Sequence, residues 1–324
     1  MLNIFVPGPG GLVRHEPAPG AALPAAALWL DLREPTAAEE QLVEQALGID
    51  VPTREEMREI EASNRLYEEN GSLYLTATVV TRLDTDLAES TQVTFILAGA
   101  CLVTNRYADP LPFQRFIAFA QTHPAACTSA PLLLAGLLEA FVNRIADVLE
   151  KVGADIEAIS QRVLTHPRQG RRHGRDFHAE LEQIGRGGEL VSKARESLVS
   201  LSRLLTFLQE SGNARVTQEA RLRLRTVSRD VGALADHASF LGDKVQFLLD
   251  ATLGMVTIDQ NNILKIFSVV TVLMLPPSVI GAFYGMNFSY IPWLHEPWGV
   301  WAALGLMVVS ALIPWVYFRS KGWL

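Results

Sequence analysis

Apolar positions follow two different periods along this 324-residue chain, and the change from one to the other falls near residue 130. Upstream, short runs rich in Val, Ile, Thr and aromatic residues alternate with helical stretches. LNIFV (2–6), ALWLDL (27–32), SLYLTATVVTRL (72–83) and STQVTFILAGACLVTNR (90–106) read as strands, the last two forming a hairpin with its turn near Asp84 to Glu89. Thr36 followed three residues on by Glu39 has capping-box spacing and predicts a helix over 36–47. Thr53 and Glu56 repeat the signature ahead of MREIEAS. These elements predict an α/β domain over residues 1–130.

Downstream the alternation stops and helical spacing takes over. Leu134, Leu138, Phe141, Ile145, Val148, Val152, Ile156, Ile159 and Val163 place one long amphipathic helix over 132–164, ending in the tip THPRQGRRHGRD. A second helical segment covers 177–209, its start weakened by Gly185, Gly187 and Gly188, and a turn follows at Ser211 to Asn213. From Thr217 a third pattern runs to Phe283, with no proline before Pro276. As one helix its roughly 65 residues would reach about 100 Å. Its end, FSVVTVLMLPPSVIGAF (267–283), carries no charge, and 299–318 is a second such run. Each is near the length that crosses a bilayer core.

The expected layout is therefore an α+β membrane protein: a cytoplasmic α/β domain at 1–130, a helical stalk at 131–262, membrane spans at 263–283 and 299–318, an extracytoplasmic loop at 284–298, and a basic cytoplasmic tail at 319–324. Lys265, Arg319 and Lys321 flank the spans while 284–298 holds no Lys or Arg, so both termini belong on the cytoplasmic side of the inner membrane. Trp293, Trp298, Trp301 and Trp315, with Tyr284, Tyr290 and Tyr317, supply interfacial aromatics.

Composition sharpens this picture by exclusion. Hydrophobic residues make up 49% and charged ones 19%, so the apolar excess is localised at the end. Without Lys265, Glu296, Arg319 and Lys321 the remainder holds 25 basic and 34 acidic residues, a charge of −9, which argues against nucleic acid as a partner. That acidity either concentrates cations beneath a membrane or serves solubility. Cys101 and Cys127 are too few for a disulfide framework or a structural zinc site and fit a reducing compartment. The start, MLNIFVPGPGG, has no basic n-region of a signal peptide. Pro7 to Gly11 reads as a plain turn, because the spacing of a phosphate loop is missing. With no hydrolase, kinase, zincin or dinucleotide signature present, neither an enzyme nor a cofactor is expected.

One face of the long helix differs from the rest. Asp250, Gly254, Thr257, Asn261, Leu264, Ser268, Thr271, Leu275 and Ser278 follow one another at three- and four-residue steps, with Phe267 on the border. Polar groups in a membrane helix line a water-filled path or serve as helix-packing contacts. A two-span hairpin encloses no pore, so the first reading demands a ring of identical subunits. The second makes the chain a membrane-anchored sensor without conduction.

Tyr284-Gly285-Met286-Asn287, directly after the first span, is the YGMN signature of the CorA magnesium transporters, and the chain resembles that family well beyond the motif. LLDATLGMVTIDQNNILKIFSVVTVLMLPP (248–277), the ending YFRSKGWL and IEASNRLYEENG (60–71) are similar to the proteobacterial CorA type. The resemblance implies a homopentamer whose stalk helices form a funnel and line the pore. Gly285, Met286 and Asn287 then form the outer selectivity filter, Asn261 and Asp250 polar rings, and Leu264, Phe267 and Leu275 hydrophobic constrictions. With Asn287, Asn261 and Asp250 as contacts for the hydrated ion, the cargo is Mg²⁺, with Co²⁺ and Ni²⁺ in its class. Zn²⁺ or Co²⁺ on the same scaffold is the alternative. Mg²⁺ is also the regulator in this family, closing the pore by bridging carboxylates of neighbouring subunits. Asp155, Glu157, Asp230, Asp236 and Asp243 are candidates by type.

Two departures from the family pattern stand out. An MPEL-like segment follows the motif in the family, whereas here it is IPWLHEPW, with Trp293 at the Glu position. Either Glu296 beside His295 supplies the entrance charge, or both are ordinary loop residues. The hairpin tip is basic, with Arg168, Arg171, Arg172, His173, Arg175 and His178, and reads as a solvated tip, not a cation store.

Overall fold

In the strand Trp29–Arg33 alternate residues serve opposite faces of one sheet: Leu30 and Leu32 join Leu2, Ile4, Val43, Ile49 and Val103 on one side, while Trp29 and Asp31 turn to the other. The computed structural model describes residues 1–16, 23–81, 88–164, 177–211, 216–293 and 296–323. It divides into two compact units, Met1–Leu249 and Asp250–Leu324. Seven strands form the sheet of the first unit: β1 (Leu2–Gly8), β2 (Gly11–His15), β3 (Trp29–Arg33), β4 (Leu66–Glu69), β5 (Ser72–Thr81), β6 (Glu89–Ala98) and β7 (Cys101–Arg106), in the order β2-β1-β3-β7-β6-β5-β4. Only β3 and β7 run parallel.

The predicted strands are present, with three differences. The run 90–106 is two strands, β6 and β7, because Gly99 takes φ +56° in the two-residue turn between Ala98 and Cys101. β2 and β4 were not expected. Both are edge strands buried on at most a few positions, so their apolar alternation is too weak to stand out. The β5–β6 hairpin forms with Leu73 opposite Leu97 and Thr81 opposite Glu89, while 82–87 lie outside the described residues. Within the expected turn Pro7 to Gly11 only Pro9 and Gly10 turn, while Pro7 and Gly8 end β1 and Gly11 begins β2. Gly11 holds φ +137°, and a Cβ there would sit 2.5 Å from the Gln121 carbonyl, so only glycine fits.

The helix α1 (Ala37–Leu47) begins with the expected box. Thr36 Oγ1 accepts from the Glu39 N–H at 3.4 Å, and Glu39 Oε2 accepts from the Thr36 N–H at 2.9 Å. Such a cap is worth about 1 kcal/mol. The second signature makes the same bonds, Thr53 N–H to Glu56 at 2.8 Å, yet only one 3₁₀ turn, Glu56–Arg58, follows. A short helix α2 (Ala62–Arg65) leads into β4.

Glu39 also accepts from the Leu2 N–H and the Met1 ammonium, each at 2.8 Å. Burial opposes its ionisation, but these hydrogen bonds and the ammonium charge outweigh it and hold the carboxyl at about 2 against an ordinary 4.5. A depressed carboxylate stabilises the fold above its unfolded pKa and loses that contribution as pH falls through the folded value. In Glu39→Gln the pH dependence of stability should therefore flatten between about 4.5 and about 2. An acid limb identical to that of the wild-type protein would refute this role.

On the opposite face of the sheet lies a buried ionic network. Arg106, 1% exposed, donates from Nε and Nη2 to both oxygens of Asp31, each at 2.9 Å, and from Nη1 to Asp109 at 2.6 Å. Asp31 accepts further bonds from Thr104 Oγ1 at 2.9 Å and Asn3 Nδ2 at 3.2 Å, and Thr104 in turn takes the Trp29 indole N–H at 3.0 Å. The helix α3 (Leu111–Ala120), unmarked in the sequence reading, closes over this group. Phe113 lies beneath the Arg106 guanidinium at 4.4 Å and beside Trp29, and Phe141 of the next helix meets Phe113 edge-on. The Asp109 carboxyl is partly buried, yet the Arg106 bond and charge hold it below the usual range.

Long helices complete the unit. α4 (Ala130–Leu164) buries the predicted stripe, and α5 (Phe177–Ser211) runs unbroken through Gly185, Gly187 and Gly188. All ten residues of β5 are buried, and its Thr78 N–H bonds Ser200 Oγ of α5 at 2.9 Å. The tip 165–176 lies outside the described residues; of its basic group only His178 is described, exposed at the start of α5. α6 (Gln218–Tyr284) starts at Thr217, whose Oγ1 accepts from the Ala220 N–H at 3.3 Å. Arg223 pairs with Glu139 at 2.7 Å and Lys244 with Glu157, joining α6 to α4. Cys101 and Cys127 are buried free thiols, and burial pushes Cys101 up to about 12.

Candidate functional site

Among the described residues two helices are long and apolar enough to cross a membrane, α6 and α7 (Gly299–Ser320). α6 passes through Pro276 and Pro277 without ending, although each removes one backbone donor from the ladder. At 22 residues α7 reaches roughly 33 Å, close to the thickness of a hydrocarbon core.

Within the unit Asp250–Leu324 the two sides of α6 differ. Lys265, Val269, Leu273, Pro276, Ile280 and Tyr284 are wholly or partly covered, and Gly281 comes so close to α7 that a Cβ would lie 3.1 Å from Met307 Cε. Asp250, Gly254, Thr257, Asn261, Leu264, Ser268, Thr271, Leu275 and Ser278 are all exposed. The centres of the two sets lie on the order of 130° apart around the helix, with Lys265 at the edge of the covered side nearest the stripe. Leu264 at 63%, Phe267 at 66% and Leu275 at 60% exposure show that even the apolar members point away from their own chain. Asp250 keeps an interaction within the protein.

Hydroxyl geometry gives the stripe a polarity. Thr257 Oγ1 donates to the Leu253 carbonyl at 3.0 Å, Ser268 Oγ to Leu264 at 2.8 Å, Thr271 Oγ1 to Phe267 at 2.8 Å and Ser278 Oγ to Met274 at 2.7 Å. Each hydroxyl places its single proton on the carbonyl four residues back, so only acceptor lone pairs remain for an outside partner. Such a surface suits donors: ammonium groups, or water polarised by a cation. Among the described residues no three His, Cys, Asp or Glu side chains gather into a metal-binding group.

The stripe ends at the C-terminus of α6. The Gly285 N–H closes on the Gly281 carbonyl at 3.0 Å and the Met286 N–H on Phe283 at 3.3 Å, which leaves Asn287 exposed just past the last turn. A helix C-terminus presents unsatisfied carbonyls and about half a negative charge. Periodicity had located the turn but not this field, which depends on where the helix stops.

The loop beyond has a geometry that no motif announced. Trp293 holds φ +62°, uncommon for a bulky side chain, and its ring lies 5.7 Å from that of Trp298. Its carbonyl accepts from the Glu296 N–H at 3.3 Å and presses on Gly299, where a Cβ would fall 2.0 Å from the Trp293 oxygen. Glycine at the first position of α7 is thus required. Glu296 is exposed in this turn, while His295 lies outside the described residues. Among the regulatory candidates Asp155, Asp230, Asp236 and Asp243 are exposed, whereas the Lys244 hydrogen bond and charge hold Glu157 below the usual carboxylate range.

The family model described as CorA-like Mg²⁺ transporter protein matches residues 24–320. The chain belongs to the CorA family. A magnesium transport protein CorA of Pasteurella multocida (strain Pm70) is 33% identical over 324 residues, covering 100% of both chains. Its counterpart in Escherichia coli (strain K12) is 34% identical over 300 residues, or 92% of each. Among solved structures, the CorA magnesium transporter of Methanocaldococcus jannaschii aligns over 100% of this chain and 99% of its own, with TM-score 0.76 and 19% identity. The full-length CmaX protein aligns over 99% and 97%, with TM-score 0.74 and 15% identity. These structural likenesses bear on the fold: a soluble α/β domain, a long helix and two candidate C-terminal membrane helices, as in CorA.

Proposed function

We propose that the chain assembles as a homopentamer in the inner membrane, both termini cytoplasmic, and conducts divalent cations passively into the cell, chiefly Mg²⁺ and also Co²⁺ and Ni²⁺. One observation carries the reading: the face of α6 turned away from α7 is a line of neutral oxygens whose protons are already donated inward, and it ends at a helix C-terminus beside Asn287. The magnesium transport of the named relatives supports the same cargo.

Mg²⁺ dehydrates reluctantly and prefers six oxygens in octahedral array, so a fast path must hold its waters and leave its coordination intact. Those waters donate hydrogen bonds. Asn287 and the Gly285 and Asn287 carbonyls accept them at the outer mouth, in the negative field of the α6 terminus. Ser278, Thr271, Ser268, Asn261 and Thr257 accept them in turn. Neutral oxygens bind weakly enough to release, which a ring of carboxylates would not. Asp250 adds a charge where the ion leaves. Leu275, Phe267 and Leu264 interrupt the path with apolar rings that gate by dewetting when the helices approach. Cytosolic Mg²⁺ bridging exposed carboxylates of neighbouring subunits would hold that closed state; Glu157, tied to Lys244, is the least suited of the five.

Flux into proteoliposomes of the full chain tests this. Mg²⁺ should enter down its gradient without a proton gradient, and Co²⁺ and Ni²⁺ should compete. Absence of Mg²⁺ entry would leave the sensor reading standing, and Zn²⁺ entry driven by protons would favour a zinc transporter on the same scaffold.

A further inference from the structure

The tail after α7 folds back by a complete helix-stop motif. Gly322 takes φ +67°, its N–H bonds the Arg319 carbonyl at 3.1 Å, and the Trp323 N–H bonds the Phe318 carbonyl at 3.0 Å. That is the Schellman pattern, whose usual companion is an apolar contact between the residue after the glycine and the third residue from the helix end. Here Trp323 stacks on Phe318 with ring centroids 5.5 Å apart. The turn delivers the indole to the base of the first span, where the Lys265 ammonium lies 5.2 Å from its ring centroid.

Lys265 occupies a sensitive position. It stands one turn from Asn261 and three residues before Ser268, both on the oxygen-lined stripe, and next to Leu264. Residues three and four apart are neighbours on a helix surface, and a four-carbon stem lets the ammonium swing over the stripe or away from it. An ammonium on that stripe meets the same acceptor oxygens as a hydrated cation and repels the cation itself. The face of an aromatic ring offers it a competing site.

We infer that Trp323 is a positioning residue for conduction: it holds the Lys265 ammonium off the oxygen-lined stripe and so keeps the cytoplasmic end of the cation path free of positive charge. The inference rests on the proposed channel function for its consequence, though not for its geometry. Five subunits would bring five such ammonium groups around one path, so releasing them has a larger effect than any single contact suggests.

Two measurements on the full-length protein separate the possibilities. In proteoliposomes Trp323→Ala should slow initial Mg²⁺ flux roughly 3–10-fold, the population change that loss of one cation–π contact allows. The deficit should shrink at high ionic strength, as repulsion by an unpaired charge is screened. Adding Lys265→Gln should return flux to within about twofold of wild type, which a mere loss of packing on Phe318 would not permit. Trp323→Phe, which keeps that packing, should lie between. Independently of transport, acylation of the Lys265 amine by a water-soluble reagent, read by peptide mass, should rise several-fold in Trp323→Ala. Unchanged labelling overturns the inference whether or not the protein conducts; so does a conducting wild type whose slowed Trp323→Ala variant is not rescued by Lys265→Gln. A wild type that passes no Mg²⁺ while labelling rises refutes the channel and leaves the contact intact.

Discussion

Arg106→Ala is expected to destabilise the soluble unit by about 3–5 kcal/mol, the range found when one partner of a buried ion pair is removed. Asp31 is fully buried, and among the described residues it keeps, without the guanidinium, only the Thr104 hydroxyl and the Asn3 amide as donors. Those do not neutralise a carboxylate, so a buried charge is left without its ionic partner. Phe113 loses its covering cation at the same time. Against a total stability of roughly 5–15 kcal/mol such a loss is large. Asp31→Leu combined with Arg106→Met should cost less than Arg106→Ala, because an apolar pair leaves no charge behind. Denaturation midpoints of the full chain in detergent measure both, and an Arg106→Ala midpoint within error of wild type would show that the network is not a stabilising element.

The second large effect concerns transport. If the proposed channel is right, Asn287→Ala should lower Mg²⁺ flux at least about tenfold, since the proposed filter would lose its side-chain amide and keep only backbone carbonyls. Asn287→Asp should act differently: a carboxylate ring binds the ion more tightly and releases it slowly, so the concentration for half-maximal flux falls together with the maximal rate. Wild-type conduction by Asn287→Ala would remove Asn287 from the filter. A lowered maximal rate with an unchanged half-maximal concentration in Asn287→Asp would remove the trapping argument.

These two residues were not equally legible. Asn287 lies in a short motif directly after an uncharged run, and both signals are local. Arg106 reads as the last residue of a strand, and nothing in its neighbourhood points to Asp31, which lies 75 positions earlier. The same holds for Gly299, whose necessity comes from a carbonyl that folds back on it, and for Lys265, whose aromatic neighbour Trp323 lies 58 positions later in the chain. The short strands β2 and β4 escaped for another reason: edge strands bury few side chains and so carry little alternation.

What the sequence by itself determined were the features set by periodicity and by caps: the box at Thr36, the amphipathic α4, the unbroken α6, the two apolar spans and the oxygen-bearing stripe with its closing YGMN. Each depends on residues within a few turns of one another, where spacing alone fixes which side chains share a face. The tertiary structure decided the parallel pairing of β3 with β7 and the burial of Arg106 against Asp31. It also set the separation of the stripe from the face covered by α7, and the return of Trp323 to Lys265. Those contacts join residues far apart in the chain, and local patterning carries no record of which distant partner a buried charge or a closing turn will meet.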